Sequence, residues 1–82
     1  MKKTCKIIFE KKAAKFLTGQ ILQQKKKLAA AIYRLPDGNV KPIKGYENFY
    51  RLRVGDYRVI FTIKDNDLIV ILTIGNRGDI YI

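Results

Sequence analysis

The sequence predicts an α+β fold in which a helical hairpin packs on one face of a small, twisted β-sheet. Three observations predict it. A short segment rich in Ile and Phe stands near the start, two stretches with helical spacing of apolar residues follow it, and β-rich segments separated by turn signals fill the chain after residue 48. With 82 residues there is room for one compact domain, which we assign to residues 1–82.

The first part of the chain predicts an N-terminal strand and two helices. Thr4–Phe9 is short and rich in Ile and Phe, as strands are. Glu10–Leu17 and Gln20–Arg34 show helical spacing, and Thr18-Gly19 interrupts it, which indicates a helical hairpin. The predicted apolar stripe of the two helices consists of Ala13, Ala14, Leu17, Ile21, Leu28, Ile32 and Leu35.

The second part of the chain predicts a loop and then an antiparallel β-meander. Residues 35–39, Leu-Pro-Asp-Gly-Asn, form a dense turn signal that ends the second helix, and Val40–Glu47 is predicted to continue as a loop. From Asn48 onward the chain is β-rich, with turn signals at Gly55-Asp56 and Asp65-Asn66.

The two turns also predict the register of the meander. If each is a two-residue hairpin loop, Arg53 faces Arg58, Ile63 faces Leu68 and Phe61 faces Val70. A slip of one residue would bury the arginines, so the pattern favours this register, with the helical hairpin covering the apolar face. The predicted core face of the meander contains no charge and consists of Leu52, Val54, Tyr57, Val59, Phe61, Ile63, Leu68, Val70, Leu72 and Ile74.

The charge balance and the opposite face of the sheet indicate a polyanionic ligand. Seventeen Lys and Arg against seven Asp and Glu give a formal net charge of +10. Arg51, Arg53 and Arg58 share the outward face, and like charges placed opposite one another destabilise a sheet. A ligand with several negative oxygens is the simplest reason for them, because guanidinium groups match phosphate geometry. Arg77 follows the last strand and is expected near the same end of the sheet.

Composition excludes several kinds of site. The chain has no histidine and one cysteine, which rules out zinc sites, Ser-His-Asp triads and paired-histidine ribonuclease chemistry, so we expect neither a metal nor a cofactor. Cys5 is predicted to be a buried structural thiol.

No apolar run approaches about 18 residues, and the apolar stretch near the start ends at Glu10. We therefore expect no membrane partner and a cytoplasmic location.

Two segments resemble the RelE/ParE toxin superfamily. They are Tyr50–Ile60 and Ile74–Arg77, and Tyr81 completes the likeness. The resemblance covers nearly the whole chain, including a Lys-Gly loop at Lys44-Gly45. It implies a bacterial or archaeal toxin of a toxin–antitoxin pair, with the ribosome and mRNA as partners. RelE-type members enter the ribosomal A site and cleave mRNA by metal-independent attack of a ribose 2′-OH on the adjacent phosphodiester.

The resemblance also implies roles for individual residues. Tyrosine with its ordinary pKa of about 10 is a poor base, but cations such as Arg51 and Arg53 would favour the phenolate of Tyr81. Arg58 and Arg77 would hold the phosphate and stabilise its developing charge. The implied catalytic residues are Arg51, Arg53, Arg58, Arg77 and Tyr81, and the expected RNA-binding residues are Lys41, Lys44, Arg51, Arg53, Arg58 and Arg77.

A partner surface is predicted beside the arginines. Ile60, Ile69 and Ile71 fall on the outward face in the predicted register, and an apolar patch of this kind usually marks a partner site. We expect an acidic, RelB-like antitoxin to bind there, with the toxin monomeric alone and in a hetero-oligomer with its antitoxin. Two alternatives stay open: a ParE-type toxin, which poisons DNA gyrase by protein contact, and a basic RNA-binding module without catalysis.

Overall fold

A five-stranded mixed sheet and two helices make up the described part of the chain. The computed structural model describes residues 6–35, 37–65 and 67–76. The elements in chain order are β1 (Lys6–Phe9), α1 (Lys11–Thr18), α2 (Leu22–Ile32), β2 (Val40–Pro42), β3 (Phe49–Val54), β4 (Tyr57–Lys64) and β5 (Leu68–Asn76). In space the strands lie in the order β1-β5-β4-β3-β2. The predicted α+β class, with its strand, helical hairpin and meander, is confirmed.

β1 joins the meander as a parallel edge strand. It pairs with β5, and each other neighbouring pair of strands is antiparallel. The amide of Lys6 donates to the carbonyl of Asp67 at 2.8 Å, and the amide of Glu10 donates to Ile71 at 2.9 Å. β1 and β2 therefore form opposite edges of the sheet, β4 is its central strand, and β3 lies between β4 and β2.

The helical hairpin matches the prediction except at the start of α2. Gly19 follows α1 as predicted, and Leu28, Ile32 and Leu35 are buried. Ile21 was expected in the apolar stripe, but it is 67% exposed. The reason is that Ile21 is the N-cap residue of α2 with an extended backbone, so it lies outside the helical spacing. None of the described helices is long and apolar enough to cross a membrane.

The predicted loop over Val40–Glu47 is wrong at its beginning. Val40–Pro42 forms β2, in which Val40 pairs with Leu52 and Lys41 pairs with Arg51. A proline is tolerated there because β2 is an edge strand. A segment of three residues that ends in proline is too short to show the alternation that predicts a strand.

The β3–β4 register is confirmed and the β4–β5 register is wrong. Arg53 pairs with Arg58 as predicted, whereas Ile63 pairs with Ile69, one residue beyond the predicted Leu68. The chain uses residues 65–67, and not a two-residue loop, to connect β4 with β5. A further shift between Ile60 and Phe61 leaves one extra residue in β5.

The shifted register exchanges the two faces along the first half of β5. Ile69 and Ile71 are 1% and 0% exposed and belong to the core cluster, so their predicted outward placement is wrong. Ile60 does lie on the face of the sheet away from the core, where it pairs with Arg51. Its side chain is nevertheless only 3% exposed. These three residues therefore do not form the exposed apolar patch that the sequence predicted. The buried core cluster consists of Ala13, Leu28, Ile32, Leu35, Leu52, Val54, Val59, Phe61, Ile69, Ile71 and Ile74.

Candidate functional site

Four cationic side chains converge on the outer face of β2, β3 and β4. Lys41 lies opposite Arg51 across the β2–β3 pair, and Arg53 lies opposite Arg58 across the β3–β4 pair. Arg51 and Arg53 are two residues apart in one strand, so they project from the same face. The core packs against the other face, where Leu52 and Val54 are buried.

A pocket of about 150 Å³ lies among these cations. Its described lining residues, which we call the basic pocket, are Asn39, Lys41, Arg51, Arg53 and Arg58. Within that lining four residues are cationic and none is acidic. A water molecule in the liquid occupies about 30 Å³, so the pocket is large enough for a small oxyanion group.

The pairing of Arg53 with Arg58 opposes the stability of the sheet. Like charges directly opposite each other across two strands are destabilising, and cross-strand pairs contribute roughly 0.2–1 kcal/mol. An anion bound between the two guanidinium groups would reverse the sign of this contribution. The arrangement is therefore suited to binding a group such as a phosphodiester.

The guanidinium of Arg58 is anchored to the turn between β3 and β4. Its Nη1 atom donates to the backbone carbonyls of Gly55, at 3.2 Å, and Tyr57, at 3.0 Å. Gly55 has a φ of +59°, in the left-handed region that favours glycine, which lets this two-residue turn close. These bonds limit the orientations that Arg58 can take before any ligand arrives.

The helical hairpin places a further cation against the same turn. A Cβ atom built on Gly55 would stand 3.2 Å from Nζ of Lys27, a residue of α2. Positive charge therefore continues from Arg58 through the turn to the helix.

A loop residue that the sequence did not single out completes the pocket. Asn39 belongs to the predicted turn signal, and nothing in its neighbours along the chain indicates a role in a site. Its carbonyl accepts a hydrogen bond of 3.0 Å from the amide of Arg53, which brings the loop beside β3. Only the β2–β3 pairing, which the sequence did not predict, brings it there.

The predicted site residues divide into three groups. The structure brings together Lys41, Arg51, Arg53 and Arg58 in the basic pocket. Lys44 is exposed in the connection between β2 and β3 and is not part of the pocket lining. Arg77 and Tyr81 lie outside the described residues. Within the described ranges no group of three or more His, Cys, Asp or Glu is placed to hold a metal ion.

Comparison with protein families gives one match along nearly the whole chain. The family is described as the ParE toxin of type II toxin–antitoxin system, parDE, and its model matches residues 6–81. The matched range includes the basic pocket and also Arg77 and Tyr81.

One curated relative and two solved structures are also similar to this chain. Toxin RelE3 of Methanocaldococcus jannaschii is 42% identical over 43 residues, which are 52% of this chain and 48% of that relative, about half its length. The archaeal RelE–RelB complex from Pyrococcus horikoshii OT3 superposes with a TM-score of 0.77 at 24% identity, covering 95% of this chain and 100% of that one. The RelB–RelE antitoxin–toxin complex from Methanococcus jannaschii gives a TM-score of 0.70 at 26% identity, covering 84% and 88%.

Proposed function

This chain belongs to the ParE toxin family of type II toxin–antitoxin systems, within the RelE/ParE superfamily, and we propose that it is a toxin that cleaves mRNA in the ribosomal A site. The observation that carries the proposal is the convergence of Lys41, Arg51, Arg53 and Arg58 on one pocket. A polyanion is the ligand that such a pocket can bind with a gain in free energy, and single-stranded RNA presents one phosphate per nucleotide.

The proposed reaction is a transesterification within the RNA strand. The ribose 2′-oxygen forms a bond to the adjacent phosphorus while the bond from phosphorus to the 5′-oxygen breaks. The 2′-hydroxyl gives up one proton to a base and the departing 5′-oxygen takes up one from an acid, so the products are a 2′,3′-cyclic phosphate and a 5′-hydroxyl. Negative charge builds up on the phosphoryl oxygens in the transition state, and preorganised donors aimed at those oxygens lower the barrier. Arg58 meets that requirement best, because two backbone carbonyls already hold its guanidinium.

The remaining catalytic roles follow the resemblance to RelE-type toxins. We assign Tyr81 as the base that removes the 2′-proton and Arg77 as a second phosphate ligand. Arg51 and Arg53 would favour the phenolate form of a nearby tyrosine, since an adjacent positive charge favours the charged form of an acid. Lys41 would contact a neighbouring phosphate, and Lys44 would do so from the adjacent loop.

We further assign an antitoxin as the protein partner. The two archaeal structures described above are complexes of RelE with RelB, and this chain carries a net charge of +10. An acidic antitoxin segment would neutralise the basic pocket and compete with RNA for it.

The test is cleavage of mRNA on programmed ribosomes, mapped by primer extension. The wild-type protein should give cuts in register with codons, and Arg58→Ala and Tyr81→Phe should lose them. Lys64→Ala is the matched control, because Lys64 is an exposed cation at the other end of β4 and should leave the cuts unchanged. Intact mRNA with the wild-type protein would overturn the proposal. Equal cleavage of naked RNA would remove the ribosome from it.

The family match favours one second candidate. The matched family model describes ParE toxins, and ParE-type members poison DNA gyrase by protein contact. This candidate predicts stalled gyrase–DNA cleavage complexes in the presence of the protein, with mRNA left intact. A gyrase assay run beside the ribosome assay distinguishes the two.

A further inference from the structure

We propose that Tyr46 and Phe49 form a binding subsite for an unpaired nucleobase beside the basic pocket. This inference rests on the proposed action on RNA and adds a contact to the base, which phosphate-binding cations cannot supply. We call these two residues the aromatic pair.

Phe49 places the aromatic pair on the same sheet face as the arginines. It is the first residue of β3, and Arg51 and Arg53 follow it at intervals of two, so all three lie on one face. Its cross-strand partner is Thr62, one residue beyond the core residue Phe61. Strand geometry puts the Cα atoms of Phe49 and Arg51 roughly 6.6 Å apart. The ring is therefore a direct neighbour of the pocket along the strand.

Tyr46 extends this surface from the connection between β2 and β3. Its ring centroid is 6.2 Å from that of Phe49, with an angle of 57° between the ring planes. The Tyr46 side chain is 46% exposed, so much of its surface is open to solvent. The exposed Tyr46 ring thus adds aromatic surface beside Phe49, at the start of the strand that carries Arg51 and Arg53.

Several hydrogen bonds hold the aromatic pair in place. The amide of Phe49 donates to the carbonyl of Tyr46 at 3.4 Å, and the amide of Ile43 donates to the carbonyl of Phe49 at 2.9 Å. The hydroxyl of Thr62 donates to the carbonyl of Asn48 at 2.6 Å, which fixes the turn to β4. The backbone that carries the two rings is therefore already ordered, and binding a ligand adds no cost for ordering it.

A contrasting pair shows what purely structural aromatic packing looks like in this chain. Tyr50 and Phe61 stack on the core face, with centroids 5.5 Å apart and an angle of 22°, and Phe61 is fully buried. Tyr46 has no comparable burial. An exposed ring beside cations matches single-stranded RNA, in which phosphates meet positive charge and unstacked bases stack on aromatic side chains.

The experiment measures binding of fluorescein-labelled oligoribonucleotides by anisotropy. The probes are an oligoadenylate and a backbone of the same length in which the bases are absent. The wild-type protein should bind oligoadenylate more tightly than the abasic probe. Tyr46→Ala should weaken oligoadenylate binding by about 5-fold or more, the lower end of what one stacked base contributes, and leave abasic binding unchanged. Tyr46→Phe should keep the preference for bases.

Tyr33→Ala is the matched control. Tyr33 is also an exposed tyrosine, at 64%, and its ring also lies near a phenylalanine, Phe9, with centroids 6.4 Å apart. Phe9 belongs to β1, at the edge of the sheet opposite β2. The control should bind both probes as the wild type does.

The outcomes separate this inference from the proposed function. Abasic binding that falls equally in Tyr46→Ala would overturn the aromatic subsite, as would a base preference that survives that substitution, while leaving RNA binding by the pocket intact. If the wild type binds neither probe, the subsite is overturned, whereas the proposed action on mRNA is decided separately by the ribosome assay. Thermal unfolding of each variant confirms that the compared proteins are folded.

Discussion

Arg53 and Arg58 lie directly opposite each other across β3 and β4, on the face of the sheet away from the core. Two guanidinium groups in this position repel each other, and the Arg58 side chain is held there by the carbonyls of Gly55 and Tyr57. A pair that weakens the sheet is suited to binding an anion, and we expect stability and RNA binding to respond in opposite directions when the pair is broken.

Replacing Arg53 should increase the stability of the protein and decrease its affinity for RNA. We expect Arg53→Gln to raise the free energy of unfolding by about 0.2–1 kcal/mol, because it removes the cross-strand repulsion. RNA affinity should fall in the same variant. Urea unfolding measures the first effect, and the gain should shrink in 1 M salt as the repulsion is screened. Lys64→Gln removes the same charge from a position whose partner on β5 is the uncharged Leu68, and it should give no such gain.

The salt dependence of RNA binding should reflect the number of pocket cations that contact phosphate groups. For single-stranded nucleic acid the slope of log K against log salt changes by about 0.7 for each phosphate contact. Arg51→Gln should reduce the magnitude of the slope by about that amount. Lys12→Gln, on the exposed surface of α1, should leave it unchanged. A slope that responds equally to both substitutions would mean that binding is not localised at the pocket.

Two neighbouring residues of β5 test the register. Ile71 is fully buried, so Ile71→Ala should lower the free energy of unfolding by about 2–5 kcal/mol. Leu72 is only partly buried, and Leu72→Ala should cost clearly less. Chemical denaturation of the two variants gives the comparison. The reverse order would support the register expected from a two-residue turn.

The turn that anchors Arg58 should be sensitive to a side chain at Gly55. With a φ of +59° at this position, Gly55→Ala should cost about 1–2 kcal/mol of stability and weaken RNA binding by displacing Arg58. Contact with Lys27 should add little, because its ammonium is the end of a flexible side chain. Gly19→Ala is the control: Gly19 has a φ of −82°, which any residue adopts, and it should change stability less. Urea unfolding and anisotropy measure the two effects.

The candidate site was largely predictable because its geometry is local. Arg53 and Arg58 are joined by a two-residue turn, and charges alternate with apolar residues along β3. A slip of one residue would have buried the arginines, so alternation together with the two-residue turn selected the observed register. Asn39 and the pairing of Lys41 with Arg51 were not predictable as parts of the pocket, because β2 is three residues long and its partner is reached only in the folded sheet.

β5 shows where sequence reasoning fails. Residues 68–72, Leu-Ile-Val-Ile-Leu, are all apolar, so alternation does not identify the inner face. The connection over residues 65–67 and the register shift near Ile60 determine which face of β5 packs in the core. Ile69 and Ile71 belong to the core cluster, and the predicted Leu68, Val70 and Leu72 do not. Ile69 and Ile71 were misplaced in the expected partner surface for the same reason, whereas Ile60 lies on the predicted face of the sheet but is buried.

The sequence by itself determined the α+β class, the helical hairpin and the arginine face, since each depends on spacing within a short segment and on the cost of burying charge. Only the tertiary structure decided how β1 and β2 join the sheet, which face of β5 is buried, and that the Tyr46 ring lies against Phe49. Those features depend on pairing between distant segments, where many arrangements satisfy the local pattern and packing of the whole chain selects one.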